Sequence, residues 1–183
     1  MSARRVGAVS ACGMSGTNAH MVVRSYDGEA DTGPIQAPFY LLGLSAKTPD
    51  ALRRKISDMV TFLESDQSHD LSRISFTLLE GRWPFRHRCA IVIQDRDDAI
   101  QVWRQVVNTP DPSRPNVFHG VVPRGFTARR AMHALGLDLL ERCRADSEHS
   151  RLEHEPYQET LFALADLYCQ GYELPWDRIF PAG

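Results

Sequence analysis

Short apolar runs and helical stripes alternate through the middle of the chain and predict a small α+β fold. Phe39 to Leu44 predicts a buried strand, and Phe85 to Ile93 predicts a second strand that ends in the continuous apolar run of an inner strand. Val117 to Val122 predicts the third strand. With two helices before the second strand and one after it, this order predicts a three-stranded sheet covered by helices on one side.

The helices of this region have recognisable beginnings. Leu52, Ile56, Met59, Val60 and Leu63 recur at helical spacing, and Thr48 before Pro49 is a typical N-cap. Asp70 is the predicted cap of a second helix that ends at Gly81. Asp95 is the predicted start of a third helix, with Asp98 at the capping-box offset.

The last sixty residues predict two further helices that form a helical hairpin. The first, capped by Thr127, has a stripe at helical spacing: Ala128, Met132, Leu135, Leu139 and Cys143. The second begins at Pro156, ends at Gly171 and has a stripe of its own: Tyr157, Leu161, Leu164, Ala165 and Tyr168. Both stripes are expected to cover the sheet or each other, with a docking surface at one rim as the alternative.

Two apolar runs, Val6 to Val9 and Met21 to Val23, flank the loop GMSGTNAH and predict a β-hairpin near the start of the chain. The loop glycines can adopt backbone angles that other residues avoid, and the loop's Ser, Thr and Asn side chains can bond to the turn's own amides. The polar, acidic stretch Ser25 to Ala37 predicts a linker.

Composition narrows the function classes. The 183 residues carry 21 Lys and Arg against 23 Asp and Glu, a formal charge of -2, which indicates neither a nucleic acid nor an anionic membrane as partner. No apolar run approaches the roughly 20 residues of a membrane span, and no signal-peptide pattern opens the sequence, so a cytoplasmic location is expected.

The sequence predicts neither a metal site nor a cofactor site. Cys12, Cys89, Cys143 and Cys169 form no CxxC pair and are interpreted as reduced structural thiols. No nucleophile lies beside a candidate base, so no catalytic residue is predicted. An enzymatic alternative would have to use Cys143 with His133 or His149.

The hairpin carries the first resemblance to a known family. GMSGTNAH followed by an apolar strand resembles the C-terminal end of the ketosynthase domain of modular polyketide synthases, and the matching residues are Gly13, Met14, Ser15, Gly16, Thr17, Asn18 and His20. The family's catalytic cysteine and histidines lie in upstream motifs that do not occur in this sequence. The resemblance therefore implies a ketosynthase remnant without catalytic residues of its own.

Two later segments extend the resemblance. LSAKTPDAL and the region from Asp70 to Asp95 resemble the linker that follows the ketosynthase, which implies a small α+β domain with a three-stranded, mostly antiparallel sheet. Leu164 to Phe180 resembles the signature that normally follows the acyltransferase, although no acyltransferase nucleophile motif lies between. The resemblance thus implies the acyltransferase docking domain of a trans-acyltransferase synthase.

The predicted organisation has four parts: a ketosynthase remnant at 1–26, a linker at 27–37, the α+β flanking domain at 38–122 and a helical segment at 123–183. The resemblance implies a free-standing malonyl-CoA acyltransferase as partner, together with the adjacent ketosynthase and acyl carrier protein. The alternative is a structural brace or spacer, or an element that contacts a neighbouring assembly line laterally, with no acyltransferase binding.

Exposed aromatic and arginine side chains near element ends are the candidate docking residues, because such side chains supply most interface energy. One candidate cluster comprises Arg82, Trp83 and Arg86, and the other comprises Tyr172, Trp176 and Arg178.

Overall fold

The computed structural model describes residues 5–13, 16, 18–24, 37–65, 69–108, 114–148 and 154–179. The chain divides into two compact units, one up to Gly33 and one from Pro34 to Ala182. The four-part organisation that the sequence predicts stays a prediction.

The first unit is the predicted hairpin. Strands β1 (Val6–Cys12) and β2 (Asn18–Arg24) pair antiparallel, with Val6 opposite Arg24 and Cys12 opposite Asn18. The described loop residue Gly16 has a φ of 85° and donates its N–H to the Gly13 carbonyl at 3.1 Å. All described residues of both strands are exposed.

The second unit is built on the predicted three-stranded antiparallel sheet. Strands β3 (Tyr40–Ala46), β4 (His87–Ile93) and β5 (Val117–Val121) lie in the order β3-β4-β5. Arg88 to Ile93 are all buried, as the continuous apolar run of that strand predicts. The central position of β4 explains this burial, because both of its edges and both of its faces are covered.

One face of the sheet packs on α1 (Pro49–Ser65), α2 (Leu71–Leu79) and α3 (Arg96–Asn108). The predicted stripe of α1 is largely buried there, together with Trp103 of α3. Helix α2 also covers the edge of β3, where the Ser75 hydroxyl donates to the Leu41 carbonyl at 2.6 Å. The edge of β3 is therefore closed by a helix.

The opposite face packs on α5 (His154–Gln170), while α4 (Arg130–Glu148) and a short 3₁₀ helix, Trp176–Ile179, complete the core on this side. Helices α1 to α3 thus lie on one side of the sheet, as their order predicts, and α5 covers the other side, which is one of the two placements expected for its apolar stripe. Leu41 and Val92 belong to the core on this face, whereas Leu42 and Ile93 belong to the core on the other. Helices on both faces are what the continuous apolar run of β4 requires.

Helix starts follow the sequence in the first half of the second unit. Ala51 donates its N–H to the Thr48 hydroxyl at 3.2 Å, and Arg73 donates its N–H to Asp70 at 3.0 Å, so both predicted caps are confirmed. Thr127 is not a cap, because α4 begins three residues later and its hydroxyl faces the Gly125 carbonyl instead. Helix α5 ends before Gly171, which has a φ of 109° as a C-terminal glycine requires.

Candidate functional site

Four residues of the ketosynthase-like motif lie within the described part of the hairpin: Gly13, Gly16, Asn18 and His20. The His20 ring Nδ1 lies 2.7 Å from the Ser10 hydroxyl, directly across the two strands. Met14, Ser15 and Thr17 lie outside the described residues. The described residues of the motif thus lie in exposed strand β2 and in the loop before it.

The second predicted docking cluster is not an exposed aromatic surface. Tyr172 and Trp176 are 3% and 5% exposed, so the expectation that they present their rings to a partner is wrong. The segment after α5 returns along α4, which places Trp176 6.0 Å from the Tyr168 ring and Tyr172 5.3 Å from the Phe126 ring. Arg178 stays exposed and lies 3.8 Å from Glu141.

The first predicted cluster is on the surface, but its members separate. Trp83 is 78% exposed, and it lines a cavity of about 580 Å³ together with Arg82. Arg86 does not line this cavity and instead donates from Nε to the Val122 carbonyl at 2.9 Å. We call this cavity the Trp83 groove.

The Trp83 groove has an apolar floor and a mainly basic rim. Its apolar side chains come from β3, α1, α2 and the loop before β4, and they include Leu44, Met59, Phe62, Leu78 and Phe85. Its charged side chains are Lys55, Asp58 and Arg82. The combination suits a partner that presents an apolar side chain surrounded by acidic ones.

Two ammonium groups converge on one aromatic ring at this rim. The Lys47 and Lys55 Nζ atoms lie 5.6 Å and 5.7 Å from the centroid of the Phe85 ring. Lys55 also donates to the Ser45 carbonyl at 3.0 Å. The ring and the carbonyl hold the Lys55 ammonium group in place, so Lys55 loses less side-chain entropy when a carboxylate of a partner binds it.

The loop that carries Trp83 is held by two hydrogen bonds at Phe85, two residues further along the chain. Phe85 donates its N–H to the Ser45 hydroxyl at 2.9 Å and accepts from Arg88 Nε at 2.9 Å. At the start of the loop, a Cβ on Gly81 would lie 2.9 Å from the Thr77 carbonyl oxygen, so glycine allows the close return of the chain. The exposed indole is therefore presented by a fixed backbone.

Arg88 connects this loop to α5. Its Nη1 donates to the Tyr168 carbonyl at 2.8 Å, and its guanidinium lies 5.1 Å from the Tyr168 ring. Burial lowers the pKa of Arg88 and raises the pKa of Tyr168 to about 12. The sequence indicated Arg88 only as a family match, because nothing in the pattern of β4 shows that this arginine points into the core on α5.

Three of the four cysteine side chains are buried: Cys89, Cys143 and Cys169. Burial raises the pKa of Cys89 well above its usual value and that of Cys169 to about 12. Within the described ranges, no cluster of three or more His, Cys, Asp or Glu side chains could hold a metal ion. Among the same residues, no helix is long and apolar enough to span a bilayer.

The chain is similar to known polyketide synthases over most of its length. Residues 40–103 match a family model described as CurL-like, PKS C-terminal. Polyketide synthase ThaG of Burkholderia thailandensis is 42% identical over 176 residues, and polyketide synthase PksM of Bacillus subtilis is 24% identical over 177 residues. These matches cover 92% and 96% of this chain but only 3% and 4% of the two synthases.

Solved structures agree on the fold. The ketosynthase from module 6 of the bacillaene synthase from Bacillus subtilis 168 superposes with a TM-score of 0.62 at 23% identity. Ketosynthase twelve of the bacillaene synthase in Bacillus amyloliquefaciens gives a TM-score of 0.61 at 22% identity. They cover 98% and 100% of this chain, which spans 28% and 27% of theirs.

The fold and these matches define a class: an α+β region that flanks a ketosynthase on its C-terminal side. The chain belongs to the polyketide synthases of the trans-acyltransferase type, as their C-terminal ketosynthase-flanking region.

Proposed function

We propose that this region is non-catalytic and docks a free-standing malonyl-CoA acyltransferase through the Trp83 groove. Docking beside the ketosynthase brings the acyltransferase to the neighbouring acyl carrier protein and raises its local concentration there. Loading of the extender unit then needs no chemistry from this chain. A cytoplasmic location stays a prediction.

The observation that carries the proposal is the exposure of Trp83 on a loop whose backbone is held by hydrogen bonds. A tryptophan side chain exposed to 78% leaves apolar area in water that nothing in the fold requires. Tryptophan and arginine are the side chains most enriched among residues that dominate binding energy, and Arg82 lies beside it on the groove. The fixed loop limits the entropy lost on binding.

The absence of catalysis is supported by the state of the thiols. Cys143, the nucleophile of the enzymatic alternative, is fully buried in the core against α5. The raised pKa values of Cys89 and Cys169 keep both thiols protonated at neutral pH.

Calorimetric titration of the chain with the purified acyltransferase tests the proposal. We expect saturable binding, and Trp83→Ala should weaken it at least ~30-fold, the effect of an interface residue worth about 2 kcal/mol. Phe76→Ala is the matched control, because Phe76 is an exposed aromatic of α2 that does not line the groove. Arg82→Glu should weaken binding more strongly at low salt than at high salt, because salt screens the interaction between charges.

The alternative, a structural brace with no acyltransferase binding, predicts a different result. No complex at high concentration, either with this chain or with a version that carries its ketosynthase, would overturn docking and favour the brace. Equal losses of acyltransferase affinity for Trp83→Ala and Phe76→Ala would show that the Trp83 groove is not the docking site.

A further inference from the structure

The outer edge of β5 is a second surface feature of the fold, separate from the Trp83 groove. Strand β5 is the last strand of the sheet, next to β4, and the other edge strand, β3, is covered by α2. Helix α5 packs on one face of the sheet, and α1, α2 and α3 pack on the other. Of the two outer edges of the sheet, that of β5 is therefore the one that α2 does not cover.

The pairing register shows which backbone groups point outward. Val122 donates its N–H to the Arg86 carbonyl at 2.8 Å, and Val92 donates its N–H to the Asn116 carbonyl at 3.0 Å. In an antiparallel pair, hydrogen-bonded and non-hydrogen-bonded positions alternate along the strand. Val121, which lies opposite His87, therefore directs its N–H and carbonyl away from β4.

Two cavities flank the same stretch of this edge, one on each face of the sheet. A cavity of about 500 Å³ lies against α1 and α3, where Leu52, Ile56 and Val107 line it. A cavity of about 480 Å³ lies against α4 and the segment after α5, where Phe126 and Met132 line it. Both cavities are also lined by residues 119–121 of β5.

This arrangement fits the geometry of an added strand. Successive side chains of a strand point to opposite faces of a sheet, so a segment paired with β5 would place its side chains alternately in the two cavities. Val121 is 56% exposed at the centre of the site. Pro115 and Pro123 bound the strand, which is five residues long, so only a short segment can pair.

The charge of the two cavities indicates what kind of segment fits. Arg53 and His87 line the first cavity, Arg129 lines the second, and His119 lines both, whereas no Asp or Glu among the described residues lines either cavity. The Arg53 guanidinium is positioned at the first cavity, because its Nη2 donates to the Val107 carbonyl at 2.7 Å. Acidic side chains complement this lining, and apolar side chains complement the cavity walls.

We propose that the edge of β5 binds a short extended segment of a partner polypeptide, rich in alternating acidic and apolar residues, by strand addition. The main-chain hydrogen bonds come from the outward N–H and carbonyl of Val121. The basic and apolar walls of the two cavities select the side chains. This site is independent of acyltransferase docking at the Trp83 groove.

The probe is a capped synthetic peptide of alternating Glu and Val, followed by amide chemical shifts of the full chain. We expect saturable shifts centred on residues 117–121, and no saturation with the peptide in which Lys replaces Glu. Val121→Pro should abolish binding, because proline lacks the outward N–H, and Val121→Thr should retain it. Arg129→Glu should weaken binding at least ~10-fold without touching the backbone of β5.

Several results would overturn the proposal. They are shifts centred elsewhere, no saturation at millimolar peptide, and equal binding by the Val121→Pro and Val121→Thr proteins. If Val121→Pro fails to fold, an unchanged affinity of the Arg129→Glu protein would overturn it. Concentration-dependent dimerisation that Val121→Pro removes would show that a second copy is the occupant. Trp83→Ala should leave peptide binding unchanged, which separates this site from acyltransferase docking.

Discussion

Gly120 is the glycine at which β5 and the end of α5 approach each other too closely for a Cβ atom. A Cβ on Gly120 would lie 2.0 Å from the carbonyl oxygen of Cys169, a backbone atom that cannot move without shifting the helix. Gly120 lies opposite Arg88, which donates to the carbonyl of the adjacent residue, Tyr168. One glycine thus allows the sheet and the helix to approach each other.

Gly120→Ala should therefore destabilise the chain strongly. We expect the free energy of unfolding to fall by about 3 kcal/mol, the upper range for an overpacked core. Gly7→Ala is the control, because a Cβ there meets nothing within 4 Å, and its effect should stay within about 0.5 kcal/mol. Urea unfolding measures both, and equal midpoints for the two variants would contradict this account.

The contrast between Trp83 and Trp176 shows how far single residues could be predicted. Trp83 precedes a proline and Trp176 follows one, and each lies near the end of an element. For this reason both are docking candidates from the sequence alone. Trp83 is exposed, whereas Trp176 packs in the core because the chain folds back along α4. That return is a long-range contact, so no local pattern could have distinguished the two.

The return of the chain along α4 also explains why α4 contains Gly136. From the sequence alone, this glycine is only a residue that lowers the stability of the helix. A Cβ on Gly136 would lie 2.7 Å from a methyl group of Leu174, a residue 38 positions later in the chain. Glycine in the middle of α4 therefore lets the segment after α5 pack closely. The local cost of glycine was predictable, and its reason was not.

At the element scale, the start of α3 shows a capping arrangement that the sequence did predict. Asp98 donates its N–H to the Asp95 carboxylate at 2.8 Å, and the Asp98 carboxylate accepts the Gln94 N–H at 3.2 Å. Two N–H groups at the helix start are thus satisfied by side chains. The second bond reaches one residue earlier than in a standard capping box.

Asp95→Ala should lower the free energy of unfolding by about 1 kcal/mol, because it leaves the Asp98 N–H without its side-chain acceptor. Asp97→Ala is the matched control, since Asp97 lies in the same first turn and makes no such bond to the cap. Thermal unfolding of the two variants measures the difference. A loss as large for Asp97→Ala would show that charge at the helix end, not the cap, is responsible.

Element order and strand direction were also predictable, since each strand and helix has a clear pattern and sharp ends. The assignment of helices to faces was not. Helical spacing shows that α4 and α5 have an apolar stripe, but not whether the stripe meets the sheet. The stripe of α4 is also rotated from the predicted one, because Leu135 is exposed while Leu140 is fully buried. Tertiary packing decides that rotation.

At the scale of the whole molecule, the sheet lies between two cores, and β4 contributes to both. Cys89 belongs to the core on the α1 side, while Tyr168 and Cys169 belong to the core on the α5 side. Each of these groups is neutral when protonated and is held away from water. Both cores therefore depend on protons that an unfolded chain would lose at alkaline pH.

Alkaline pH should destabilise the fold through these three groups. Burial is the largest cause of each shift: it raises the pKa of Cys169 from 9.0 and that of Tyr168 from 10.0 to about 12, and that of Cys89 well above 9.0. Above about pH 9 the unfolded chain releases protons that the folded chain retains. The unfolding free energy is then intact below pH 9 and falls by up to about 1.4 kcal/mol per pH unit for each group.

Urea unfolding at pH 8, 9.5 and 10.5 measures this slope, and the slope rather than the absolute stability is the readout. The chain with Cys89→Ala and Cys169→Ala starts less stable, because two buried side chains are shortened, but its stability should fall less steeply above pH 9. Of the three groups, Tyr168 then remains, and its part of the slope should begin near pH 10. If both proteins lose stability in parallel from pH 8 to 10.5, the buried thiols do not control the alkaline limit of this fold.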